Sequence, residues 1–154
     1  MKRIFEKVEE AEKIIRGIDH IVYVTYPLIK ENRLLITMVV EMKRAILLLI
    51  NSILQFEYLH KRVGLSQNPE KNLNTFFEKC APHYNLTKID TNMIIELFNI
   101  VEKHKKSLMG FARNSKFVIL YGDMKTCIIS LEKTKEFLYL SKKILENSKK
   151  SFLQ

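Results

Sequence analysis

LLITMVVEMKRAILLLINSIL, residues 34–54, is apolar on almost every side of a helical wheel, and its reading decides the fold class. A surface helix carries one apolar stripe, whereas a helix apolar all round is enclosed by protein or by lipid. Lipid does not fit. Glu41, Lys43 and Arg44 interrupt the run, and neither LLITMVV (34–40) nor AILLLINSIL (45–54) has the ~18–20 uncharged residues of a bilayer crossing. The stretch therefore predicts the central helix of a mostly α domain, running from about residue 31 to Val63, with Gly64 as its stop. Such a helix is roughly 50 Å long at ~1.5 Å per residue. The charged trio inside it is expected to pair within the bundle or to reach its edge.

The flanking sequence extends this reading. Ile4, Val8, Ala11, Ile14, Ile15, Ile18, Ile21 and Val22 recur at three- and four-residue steps over residues 2–24, and Pro27 is expected to end that helix. Asn68, Pro69 and Glu70 are a cap, a first-turn proline and a first-turn acid for a short third helix that stops before Pro82. Asp90 reads as the cap of a fourth helix from Thr91 to about Ser107. KFVILYGDMKTCIIS, residues 116–130, is rich in β-branched and aromatic residues around Gly122-Asp123 and reads as a β-hairpin. Ser130 then caps a last helix ending near residue 149. The expected fold is a helical bundle of about five helices around a long central helix, with one small β-hairpin near the C-terminus, in a single domain over residues 1–154.

Composition bears on setting and partners. The chain has 26 Lys and Arg against 17 Asp and Glu, a formal charge of +9, which attracts phosphate backbones or anionic membrane surfaces or simply keeps the surface soluble. Cys80 and Cys127 are too few for a disulfide framework, and MKRIFEKVEEAEKIIRG lacks the apolar core of a secretory leader. The expected setting is the reducing cytoplasm, without a membrane span.

The motifs that carry chemistry are sparse. Cys80-Ala-Pro-His83 offers two corners of a tetrahedral metal site, but the remaining His and Cys residues are scattered, so no metal is assigned. Arg16 and His20 share a helical face with Asp19 adjacent, a trio of types that can handle phosphate or act as general acid and base. Helix surfaces produce such pairs constantly, and a solvated polar face is the expectation. There is no nucleophile elbow, and the glycines at 17, 64, 110 and 122 are too dispersed to cradle phosphate. No catalytic residue and no cofactor are assigned.

The densest basic segment is KHKKSLMGFARNSK, residues 103–116. It holds Lys103, His104, Lys105, Lys106, Arg113 and Lys116 around Phe111, and reads as a loop between a helix end and the hairpin. Cations that follow a backbone and a ring that stacks on bases suit RNA. The plainer alternative is that Leu108, Met109 and Phe111 dock the loop on the core while the lysines complement the helix terminus. His60, Lys61 and Arg62 form a smaller basic cluster at the end of the long helix.

In layout the chain resembles the HEPN group of helical-bundle domains, through its long apolar spine, short middle helix and closing helix. Segment HKKSLMGFARNSKFVILYGDMKT (104–126) is similar to small archaeal helical proteins. HEPN ribonucleases carry an Arg, four to six intervening residues and a His; here Arg16 and His20 are separated by three, so no catalytic residue is carried over. The leading expectation is a non-enzymatic interaction module that binds RNA or a protein through the basic loop. The alternative implied by the resemblance is a metal-independent ribonuclease or toxin, and the third reading is a homodimer built through hairpin edges or a helix face.

Overall fold

The first helix runs straight through the proline expected to end it. In the computed structural model, which describes residues 1–153, α1 (Lys2–His20) passes through a π turn (Ile21–Thr25) into α2 (Tyr26–Ile29) as one rod. Tyr26 keeps helical angles, and its N–H bonds the carbonyl of Ile21, five residues back. A proline ring collides with the carbonyl four residues before it, and the widened turn relieves that clash. The rod stops only at Lys30, which is left-handed at φ 54°. The third helix behaves alike. Asn68 caps α4 (Pro69–Thr75) as its sequence implies, accepting from the Glu70 N–H at 2.9 Å. The chain then continues through a π turn (Phe76–Cys80) into a 3₁₀ turn (Ala81–Tyr84), so Pro82 lies inside the helical path and not beyond it.

The apolar stretch forms α3 (Arg33–Leu59), the spine that α1, α5, α6 and the sheet pack against. It is not enclosed on every side. Thr37, Arg44, Asn51 and Tyr58, spaced by seven, form a narrow exposed stripe. Glu41 borders that stripe and pairs with Arg44 at 3.4 Å, while Lys43 reaches Glu102 at 3.4 Å across to α5. The helix ends earlier than Val63. Lys61 turns left-handed at φ 60°, and the Arg62 N–H returns to the Glu57 carbonyl at 2.9 Å. That return bond satisfies a terminal carbonyl without needing Gly64.

Helix α5 (Lys88–Lys105) starts three residues before the expected Thr91. Its cap is Thr87, and Asp90 is the third helical residue of a reciprocal capping box. Beyond it, the expected hairpin is a three-stranded antiparallel meander: β1 (Met109–Arg113), β2 (Lys116–Tyr121) and β3 (Lys125–Ile129), in the order β1-β2-β3. Asn114 and Ser115, both at positive φ, make the two-residue β1–β2 turn. Gly110 is required for close approach, since a Cβ there would lie 2.7 Å from the Phe117 ring. Ser130 caps α6 (Leu131–Phe152) through the Lys133 N–H at 3.1 Å.

Phe117, Ile119 and Ile129 point from the sheet into the same apolar cluster as Leu49 of α3, Ile94 of α5 and Phe137 of α6. Among the described residues no helix is long and apolar enough to cross a membrane. Gln154, the last residue of the expected domain, lies outside the described residues.

Candidate nucleic-acid interface

Side chains alternate along a strand, so the register sorts the sheet into two faces. The rows Ala112–Phe117–Ile129 and Gly110–Ile119–Cys127 belong to the face that covers the core. The opposite face carries Phe111, Val118 and Ile128 in one row across all three strands, and Met109, Leu120 and Thr126 in the next. Phe111 is half-buried against this row, and Ile128 is 55% exposed. Together with Arg113 and Lys116 they line a shallow depression of about 340 Å³.

Arg113 and Lys116 are direct cross-strand partners next to the β1–β2 turn. Like charges placed opposite each other destabilise a sheet. Neither belongs to any ion pair among the described residues. Two cations that join no ion pair therefore sit side by side next to an aromatic ring on this face.

The basic segment itself is not a loop. Lys103, His104 and Lys105 are the last turn of α5, Lys106 caps it, and Met109–Arg113 is strand β1. The helix half and the strand half consequently serve different surroundings. The Lys103 ammonium sits 4.9 Å from the centre of the Tyr121 ring, and Lys105 pairs with Glu102 at 3.7 Å. His104 is half-buried with its Nδ1 enclosed and unpartnered, and its carbonyl accepts from the Ser107 hydroxyl at 2.7 Å. Lys106 is exposed. The fold thus brings Phe111, Arg113 and Lys116 together, and leaves Lys103, His104, Lys105 and Lys106 grouped at the helix terminus.

Other singled-out residues separate in space or find ordinary partners. Cys80 is buried beneath the surface where His83 is exposed, and burial pushes its thiol up to about 11. No group of three or more His, Cys, Asp or Glu that could hold a metal occurs among the described residues. Arg16 donates to Glu12 at 2.8 Å, and with His20 it lines a groove between α1 and α6.

One cluster is invisible in the sequence. Glu57, near the end of α3, is only 8% exposed and accepts from the Tyr84 hydroxyl at 2.8 Å and from Nε of Arg62. Burial alone pushes its carboxyl up, but those two donors outweigh it and hold the group below its ordinary value. Burial first, and then the bond to Glu57, raises the Tyr84 phenol far above its usual range. The local signal for Arg62 is present in His60-Lys61-Arg62, but nothing local links Glu57 to Tyr84.

No family model, no curated protein and no solved structure matches this chain.

Proposed function

We propose that the protein is a binding module for single-stranded nucleic acid, with RNA as its natural ligand, and that the open face of the sheet is the contact surface. The observation that carries this reading is the convergence of the Phe111 ring with the unpaired cations Arg113 and Lys116 on that one face. A ring offers a stacking platform to any base, and base–aromatic stacking contributes about 1–3 kcal/mol per base. The apolar row Phe111–Val118–Ile128 supplies a flat floor, and the net charge of +9 steers a polyanion towards it. Lys106 and the end of α5 extend the positive field beside the strands.

Fluorescence anisotropy with a labelled single-stranded RNA, followed across salt concentrations, tests the reading. Phe111→Ala is expected to weaken binding at least about fivefold with little change in salt dependence, because it removes stacking and no charge. The Arg113→Ala, Lys116→Ala double variant is expected to lower the slope of log affinity against log salt by about 1.4, at roughly 0.7 for each phosphate no longer neutralised. Absence of binding at low salt, or equal affinity in all three proteins, overturns the proposal; a protein ligand captured on this face instead would show little salt slope.

A further inference from the structure

A second cavity is remote from the sheet face, at the other end of the spine. Lys43 on α3 faces the end of α5 through Glu102, whereas this cavity opens beside Glu57, roughly 20 Å further along α3 at ~1.5 Å per residue. Its volume is about 740 Å³, within the range of small-molecule sites. One wall is the end of α3 and its reversal, carrying His60 and Arg62; the facing wall is the π turn and 3₁₀ turn, carrying Lys79 and His83. Phe56 and Tyr84 form the floor, and Phe152 of α6 packs against both, at 4.5 Å and 6.4 Å between ring centres.

The two walls differ in how firmly they are held. Arg62 is fixed twice: its backbone N–H bonds the Glu57 carbonyl at 2.9 Å, and its Nε bonds the Glu57 carboxylate. Glu57 in turn is locked by Tyr84, whose carbonyl accepts from Asn147 at 2.8 Å. Both oxygens of Glu57 are thereby occupied and buried, so the side chain that reaches solvent at this point is the guanidinium, about half exposed. A guanidinium has five N–H donors in a planar fork, and only Nε is spent here, leaving the two terminal nitrogens. His60 is held by its Nδ1 on the Phe56 carbonyl at 2.9 Å and by its ring against Phe56 at 4.3 Å, which leaves Nε2 uncommitted. Lys79 and His83 are exposed and join no ion pair among the described residues; Glu78 is the one lining acid without a partner.

We propose that this cleft binds a phosphate monoester, with the Arg62 fork on one wall and Lys79 and His83 on the other sharing its terminal oxygens. The chemistry follows from the donor set. A pre-oriented guanidinium matches two oxygens of a tetrahedral oxyanion, and charge-assisted bonds of this kind are about twice as strong as neutral ones. A terminal phosphate has a third oxygen for the opposite wall, which a carboxylate lacks. Glu57 is the positioning residue: it holds the fork in place and keeps its own charge covered.

The site does not depend on the sheet face, and the test keeps the two apart. Isothermal titration of the full chain uses inorganic phosphate, a nucleoside 5′-monophosphate and the corresponding nucleoside. Binding of the monophosphate but not of the nucleoside is expected. Inorganic phosphate binding as well assigns the affinity to the oxyanion alone, and its failure beside a bound monophosphate assigns it to the ester; either supports the proposal. The Lys79→Ala, His83→Ala double variant alters exposed side chains only and is expected to bind at least about tenfold more weakly with an unchanged circular dichroism spectrum. Arg62→Lys, which keeps the charge and loses the fork, is expected to weaken binding to a similar degree. Phe111→Ala is expected to bind phosphate like the parent chain. Failure of the parent chain to bind either phosphate, equal binding of the nucleoside, or unchanged affinity in the Lys79/His83 variant overturns the assignment.

Discussion

Among the described residues Glu57 is the only charged side chain that is buried, and its environment makes it an acid-sensitive point of the fold. Its carboxyl lies below the ordinary 4.5 of a glutamate in the folded state, because Arg62 and Tyr84 donate to it despite the opposing effect of burial. The folded chain therefore binds fewer protons at this position than the unfolded chain does. The stability it contributes is fully present above about pH 4.5 and drains away as pH falls through the lower folded value. Asp90, buried in part but held down by Lys143 and Thr87, adds in the same direction. Glu57→Gln is expected to lower stability near neutral pH by about 1–3 kcal/mol, since it removes the acceptor charge from two donors. Its unfolding midpoint in urea should also vary less between pH 5 and pH 3 than that of the parent chain. A variant with parental stability and parental acid sensitivity would show that Glu57 is not the group responsible. This residue also marks a limit of sequence reading. A carboxylate at position 57 sits in a run that ends in Tyr58 and Leu59, and its partner Tyr84 is 27 residues away. Only the tertiary fold makes the pair.

At the scale of elements, the features with a local signal are legible in the sequence, and those that are not share a cause. The Asn68 and Ser130 caps depend on a side chain and an N–H two or three residues on, and both form. The spine, the closing helix and the β2–β3 pair follow from strong apolar periodicity. Strand β1 is hidden because MGFAR has a glycine inside it and only one aromatic, and because a run of lysines precedes it. Its pairing to β2 supplies what its own residues do not, and the Asn114-Ser115 turn lacks the usual glycine. Pro27 and Pro82 mislead for a related reason: each lies two residues past a π turn, a backbone adjustment with no sequence signature of its own. The start of α5 offers a direct test. Thr87 accepts from the Asp90 N–H at 3.2 Å, and Asp90 accepts from the Thr87 N–H at 2.9 Å. Thr87→Ala is expected to cost about 1 kcal/mol, the usual worth of such a cap, measured by urea unfolding. Asp90→Ala is expected to cost more, because Asp90 also accepts from Lys143 on α6. If Asp90→Ala proved the milder change, the bond to α6 would contribute nothing and the cap alone would set the helix start.

At the scale of the whole molecule, the candidate nucleic-acid face is only as rigid as the attachment of its sheet to the bundle. A small meander is marginal in water unless one face is packed. Here that face is packed: Phe117, Ile119 and Ile129 are almost fully buried in the same cluster as the helices, and β2 touches both α3 and α5. The outer face gains no such support, and β1 and β3 are both edges. Sheet and bundle should therefore unfold as one cooperative unit, with the exposed edges opening locally at lower cost. Hydrogen exchange on the native protein separates these cases residue by residue. The amides of Phe117 to Ile119 in β2 are expected to exchange with the free energy found for the middle of α3, whereas exposed Ala112 and Arg113 on β1 exchange faster. Fast exchange throughout β2, with α3 still protected, would mean that the sheet detaches while the helices stay folded. Binding at its face would then carry an ordering cost, and affinity for nucleic acid would rise with any substitution that tightened the sheet on the core. With the sheet anchored as the burial of Phe117 and Ile119 implies, such substitutions are expected to leave any affinity of the proposed face unchanged.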